Sequence, residues 1–363
     1  MKHLIAIISV LLLPWMVQAQ PSLRTEQVIL ITFDGLRWQE LFTGADLSLI
    51  GDEAFVAEPE ILKHRFWDED AMMRRIRLMP FFWSVIAEEG QMYGNRAHGS
   101  LVNVTNNFLF SYPGYNEILT GFSDDRIISN DKIDNPNITI LEYMNELPEF
   151  CNSVAAFGSW DVLPYIINEN RSGVPVNAGF DLSEGQDLTD RERFLNELQP
   201  EIPSPWSTVR LDAFTHHYAM EHLKKYSPRL LYISYGETDD FAHDGKYDQY
   251  LNSAFQTDAF IDEIWTWVQS HAPYRNKTTL IITTDHGRGT QPKDAWKSHG
   301  TEIEGSDQIW FAVIGPDTQP LGEIKTSGQY YQNQIARTVT KILGVEYTGG
   351  GKAGAAVEAV IGR

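Results

Sequence analysis

The sequence predicts an α/β fold built on a mostly parallel central sheet with helices on both faces. Three short apolar runs carry that expectation: Val28 to Phe33 (VILITF), Leu230 to Tyr235 (LLYISY), and Leu280 to Ile282 within TLIITTDHGR. Each is apolar at consecutive rather than alternating positions, which suits a strand covered on both faces. Each also releases an acid just beyond its end, at Asp34, Asp239 and Asp285. Ligands of open α/β sheets bind outside the carboxyl ends of the strands, so the three acids are expected to meet at one edge.

The ends of the chain bound the rest. Lys2 precedes an apolar run from Leu4 to Leu13, and Val17, Gln18 and Ala19 form a small-residue cleavage site before Gln20. That pattern reads as a secretory signal over 1–19, the run being too short to span a bilayer as an anchor. No Cys follows the cleavage site, which argues against lipid anchoring, and an exported periplasmic or extracellular protein without a stable membrane span is expected. Residues 20–363 then form one catalytic domain, with loop insertions near 42–79 and 172–205. The formal charge of -20 disfavours nucleic acid as a partner, because polyanion binding needs a basic footprint. A small anionic substrate held through bound metal stays compatible with it. Cys151 is the only cysteine, so there is no internal disulfide and no cysteine zinc site, and a hydrophobic fraction of 42% leaves stability to core burial.

Along the chain, the run at 28–33 delivers Asp34 and Gly35, which read as a turn or as the first part of a site. In the first insertion, Arg74, Arg75 and Arg77 fit a solvated helix face better than an anion site. Pro80 opens a helix to Glu89, stopped by Gly90, with Phe81, Phe82, Val85 and Ile86 at helical spacing. In FSYPGYNEILTG, Pro113 and Gly114 are expected to turn the chain after Ser111, with a helix beginning at Tyr115. Ser111 reads either as a capping serine or as a nucleophile at a helix entry, where unpaired backbone N–H groups stabilise an anion. Asn130 falls in a polar, exposed loop.

A helix over Leu211 to Tyr226 precedes the strand that leads to Asp239. His243 stands four residues on, so the two share a face if that turn is helical. A helix over Phe255 to Trp267 delivers the chain to the Asp285–His286 pair, and His299 follows in a polar loop expected to be exposed. The strand Ile309 to Ile314 and the helix Gln332 to Leu343 complete the core. Gly349 to Lys352 imitate a phosphate loop, but Ala353 stands where a Ser or Thr would be needed.

Three Asp (34, 239, 285) and three His (243, 286, 299) are the right number and type for two divalent ions with open positions, zinc or manganese. Such a pair, about 4 Å apart, clamps the attacking and leaving oxygens of a phosphoryl transfer.

The ordered set Asp34-Gly, Ser111 before Tyr-Pro and Leu-Thr-Gly, Asp239 to His243, Thr284-Asp-His-Gly and His299-Gly resembles the alkaline phosphatase superfamily. It is most similar to the nucleotide pyrophosphatase/phosphodiesterase branch, where the nucleophile lies ten residues before the Gly of a Thr-Gly pair, as Ser111 does before Gly121. The resemblance spans roughly Val28 to Pro316 and implies an alkaline-phosphatase-like sheet. It implies Asp34, Asp285, His286 and the Ser111 oxygen around one metal and Asp239, His243 and His299 around the other. It also implies that Asn130 contacts the phosphoryl group, across a shorter loop than in the family. The implied reaction is attack by Ser111 on phosphorus, a phosphoseryl enzyme, and its hydrolysis, on a small phosphomonoester or phosphodiester. The formylglycine sulfatase signature needs an Arg where Tyr115 stands, which disfavours that chemistry. The rivals are a phosphomutase-like phosphotransferase, a sulfatase-like relative and a metal-binding protein without turnover.

Overall fold

The computed structural model describes residues 23–362, so the signal assigned to 1–19 lies outside the described residues. The strands are β1 (Gln27–Phe33), β2 (Gln91–Tyr93), β3 (Ser100–Asn103), β4 (Val154–Gly158), β5 (Val176–Ala178), β6 (Leu230–Tyr235), β7 (Thr278–Thr284), β8 (Phe311–Ile314), β9 (Gly322–Glu323) and β10 (Gly328–Tyr331). Eight of them form one sheet in the order β5-β4-β6-β1-β7-β8-β2-β9, and β3 pairs with β10 separately. From β5 to β7 every pairing is parallel, while β8 runs antiparallel to both β7 and β2. The expected mostly parallel sheet, flanked by helices, is the architecture found.

Both faces of the sheet are covered. In β1, Ile29, Ile31 and Phe33 enter one apolar cluster, while Val28 and Leu30 enter a second on the opposite face. β6 and β7 divide in the same way, which is why their sequences are apolar at consecutive positions. The helices that bear on function are α1 (Ser111–Thr120), α2 (Asp212–Tyr226), α3 (Glu237–His243), α4 (Tyr247–Ser270) and α5 (Ile335–Ile342). α4 is longer than the expected 255–267 because Tyr247, Tyr250 and Leu251 extend its buried stripe towards the amino end.

Several local expectations need correction. α1 begins at Ser111 itself, since Pro113 sits in the first turn, where its missing N–H costs no helical hydrogen bond. The helix expected after Pro80 contains a π segment, Phe82–Ile86, and the free N–H groups of Phe81 and Phe82 donate to Asp258 at 2.8 and 3.0 Å. The insertion near 42–79 is helical, with Leu47–Ile50 and Ala71–Leu78 capped by Asp46 and Asp70. The one near 172–205 carries β5 and a helix, Asp190–Leu198, whose capping box is formed by Thr189 and Glu192.

Candidate active site

Register brings the acids together. Phe33 of β1 pairs with Tyr235 of β6 and with Thr284 of β7, so three adjacent strands end at one level. Asp34 and Asp285 leave directly from there, and Gly35 N–H donates to Asp285 Oδ1 at 3.0 Å. After β6 the chain enters α3, whose start is held by the buried Asp212 carboxylate, which accepts from Gly236 N (2.8 Å) and Glu237 N (3.2 Å). α3 then presents Asp239 and His243 on one face, with His243 Nε2 3.2 Å from Asp239 Oδ2.

All six of the predicted Asp and His residues meet at this edge. Asp34, Asp285 and His286 each offer a ligand atom within 4.8 Å of the others, and so do Asp239, His286 and His299. His286 Nε2 lies 3.3 Å from Asp34 Oδ1 and 3.5 Å from Asp285 Oδ2, which places it in the first group. It is also 3.6 Å from Asp239 Oδ1, so the two groups adjoin. His243 Nε2 approaches His299 Nε2 at 3.0 Å and joins the second group. His299 is tucked in rather than exposed as expected: its ring stacks on His286 at 3.9 Å, and Nδ1 bonds the Leu109 carbonyl at 3.1 Å. His286 Nδ1 likewise faces the Gly287 carbonyl at 3.0 Å. Nδ1 of each ring faces a backbone carbonyl and Nε2 faces the site, the orientation of a metal-ligating imidazole once Nε2 is free of its proton.

The electrostatics and the unsatisfied atoms also fit a cation. Burial and the neighbouring Asp34 push the Asp285 carboxyl up to about 8. Burial alone would lower the His286 pKa, but Asp285 and Asp34 outweigh it and raise it to about 9. Burial, with the charges of His286 and Arg288, holds His299 well below its ordinary range. Asp34 Oδ1 and Asp285 Oδ2 are buried without a well-formed hydrogen bond, facing only His286 Nε2 at 3.3 and 3.5 Å. Buried carboxylate oxygens of this kind are costly unless something positive faces them, and a mixed carboxylate and imidazole set suits zinc-class divalent ions.

Ser111 opens α1 at this cluster, with Oγ 3.4 Å from His286 Nε2. Gly114 lets the helix approach, since a Cβ there would sit 2.4 Å from the Asp285 carbonyl oxygen. Asn130 Oδ1 accepts from Tyr112 N at 3.0 Å, which turns its amide N–H₂ away from that contact. Asn130 is exposed, as its loop suggested.

Four supporting residues escaped the sequence reading. Tyr115 donates to Asp34 Oδ2 at 2.8 Å, and Thr238 Oγ1 donates to the Asp34 carbonyl at 2.5 Å. Gln332 Nε2 donates to the Asp285 carbonyl at 2.6 Å. Arg288 is fully buried, bonds Asp239 directly, and donates to the carbonyls of Gly35 (3.1 Å) and Lys297 (2.8 Å). Arg288 adjoins the Asp-His-Gly run and Thr238 adjoins Asp239, but Thr238 and Tyr115 act on the distant Asp34, which local pattern does not show. Arg74, Arg75 and Arg77 are engaged elsewhere: Arg74 and Arg75 lie over Trp67 and Trp83, and Arg77 pairs with Asp68.

Comparison with known proteins bears on the fold. Residues 187–345 match the family model described as Sulfatase. No curated protein matches the sequence. The fold is similar to that of the alkaline phosphatase PafA, with a TM-score of 0.60 at 10% identity over 95% of this chain and 100% of that one. It is similar to a phosphonate monoester hydrolase from Silicibacter pomeroyi, with a TM-score of 0.55 at 12% identity over 92% and 76% of the two chains. It is also similar to BT1596, a 2-O GAG sulfatase, with a TM-score of 0.54 at 11% identity over 93% and 74%. The chain has an alkaline-phosphatase-like fold, and these likenesses favour no single one of the three activities.

Proposed function

We propose that this chain, built on the alkaline phosphatase superfamily fold, is an exported two-metal phosphoester hydrolase that works through a phosphoseryl intermediate. One observation carries the reading: the Ser111 hydroxyl stands at the first residue of a helix, against a cluster whose buried carboxylate oxygens lack well-formed hydrogen bonds.

Asp34, Asp285, His286 and the Ser111 oxygen would hold one divalent ion, and Asp239, His243 and His299 the other, zinc fitting the donor set better than manganese. When bound, the ions would lower the Ser111 hydroxyl pKa and neutralise the charge of the phosphoryl group. Ser111 Oγ attacks phosphorus, the ester oxygen departs, and the serine carries the phosphoryl group until water displaces it. Asn130, whose carbonyl end is held by Tyr112 N, would offer its amide N–H₂ to a phosphoryl oxygen. Arg288 holds Asp239 in place, and Tyr115 does the same for Asp34.

Phosphoester rather than sulfate ester hydrolysis is favoured by Tyr115. It stands where the oxidised-nucleophile sulfatase signature needs an Arg, and its hydroxyl is committed to Asp34. The Sulfatase match over 187–345 keeps sulfate esters as the second reading. The substrate is proposed to be a small phosphomonoester or phosphodiester, the ten-residue spacing from Ser111 to Gly121 favouring the diesterase branch. Export rests on the signal pattern at 1–19. Among the described residues no helix is long and apolar enough to cross a membrane.

The test is turnover of aryl phosphate monoesters, aryl phosphate diesters and aryl sulfates by wild type and Ser111→Ala. A loss of at least about 10³-fold on a phosphoester is expected. Undiminished turnover in the variant would discard Ser111 as nucleophile, and turnover of aryl sulfate alone would favour the second reading.

A further inference from the structure

A second group of imidazoles lies away from this site and shares no residue with it. His216 and His217 are consecutive on α2, and Glu263 projects from the neighbouring α4. Their ligand atoms all fall within 4.8 Å of one another. His216 Nε2 is 3.1 Å from Glu263 Oε2, close to the ~3.3 Å edge of a tetrahedron with metal bonds of about 2.0–2.1 Å.

The bland account is a buried histidine satisfied at both nitrogens, by Glu263 and by the Tyr235 hydroxyl 3.0 Å from Nδ1. Three features go beyond it. The Tyr235 hydroxyl is the kind of outer partner that fixes a ligating imidazole, taking the Nδ1 proton and leaving Nε2 free to bind. The His216 ring is locked, fully buried and stacked on Phe260 at 4.2 Å, so little freedom is lost on binding. His217 adds a second imidazole at the same point, and Glu263, exposed, leaves a route from solvent. Both rings are held neutral: burial lowers His216, and burial with His216 and Arg191 lowers His217 to about 4. Neutral imidazole is the form a metal needs.

We propose that His216, His217 and Glu263 form a peripheral site for a zinc-class divalent cation that ties α2 to α4. Two imidazoles and one carboxylate, with a position left for water, suit zinc or nickel rather than magnesium or calcium. The tie lies behind the end of β6, because Tyr235 is the last residue of the strand that leads to Asp239. Arg191 opposes it: Nη2 donates to His217 Nδ1 at 2.9 Å, so the guanidinium covers that lone pair and repels a dication. Arg191 has an alternative partner in Glu221, 3.8 Å from Nε, and binding releases it there.

The full chain, stripped by chelation and equilibrated with buffered Zn²⁺, gives the bound zinc per chain by elemental analysis. His217→Ala and Glu263→Gln are each expected to bind one zinc fewer than wild type, with aryl phosphate turnover and circular dichroism unchanged. Arg191→Ala is expected to bind that zinc about tenfold more tightly. Glu263→Gln changes an exposed side chain at constant size, so it is readable even if His217→Ala folds poorly. Equal zinc content in wild type and Glu263→Gln overturns the proposal. Because the readout is a difference in metal count, it does not depend on whether Ser111 is the nucleophile.

Discussion

Replacing Tyr115 by Phe tests whether the active-site cluster is a metal centre supported from behind. The Tyr115 hydroxyl donates to Asp34 Oδ2 at 2.8 Å and accepts from Ser234 Oγ at 3.1 Å, in a wholly buried setting. Burial and the charges of Asp285 and Asp34 hold its pKa well above 10, so it stays a proton donor across the working range. Tyr115→Phe keeps the ring and removes only that donor. Asp34, whose Oδ1 already lacks a well-formed hydrogen bond, then loses support at Oδ2 as well. A hydrogen bond to a charged group is worth about 1.5–3 kcal/mol, which converts to roughly 10–150-fold, in line with the 10–100-fold usual for outer partners of metal ligands. The assay is activity against free Zn²⁺ in a metal buffer. The half-saturating zinc concentration should rise by about 10–100-fold, with kcat at saturating zinc within a few-fold of wild type. An unchanged zinc requirement together with a collapsed kcat would refute this, placing Tyr115 on the substrate instead.

Three further outcomes are expected. Gly114→Ala, normally worth about 1 kcal/mol to a helix, should here lower both Tm and kcat/KM, because its Cβ would meet the Asp285 carbonyl at 2.4 Å; a raised Tm with full activity would contradict that packing. Asp258, pushed by burial up to about 8 from 3.8, is protonated in the fold but ionised in the unfolded chain between those values. The folded state therefore binds more protons there, and stability falls as pH rises from about 4 to 8. Thermal melts across that range should be flatter for Asp258→Asn, and parallel curves would show that Asp258 is not the titrating group. Chelation should reduce phosphoester turnover by about 100-fold or more, with recovery on adding Zn²⁺ but not Mg²⁺; turnover that survives complete demetallation would remove the metals from the reaction.

The parts of this molecule legible in its sequence are those set by short-range rules. β1, β6 and β7 announce themselves because strands buried on both faces must be apolar throughout, and the acids at their ends follow from the sheet's polarity. The helical stretch near 42–79 was not legible: its helices are short and start at Asp46 and Asp70, residues that serve equally well in turns. α1 was placed four residues late because Pro113 and Gly114 read as a turn, whereas a first-turn proline and a close-packed glycine serve the helix. His299 follows Trp296, Lys297 and Ser298, a polar context that suggests exposure, yet its ring is drawn in by His286 and the Leu109 carbonyl. Tyr115, Gln332 and Thr238 act on residues 47 to 204 positions away, and local pattern carries no trace of such contacts.

The most direct test of the central claim is anomalous diffraction at the zinc edge from crystals grown with Zn²⁺. Two peaks are expected at the strand ends, one among Asp34, Asp285, His286 and Ser111 Oγ, the other among Asp239, His243 and His299. A single peak, or density that leaves Ser111 or His299 outside coordination reach, would contradict the account.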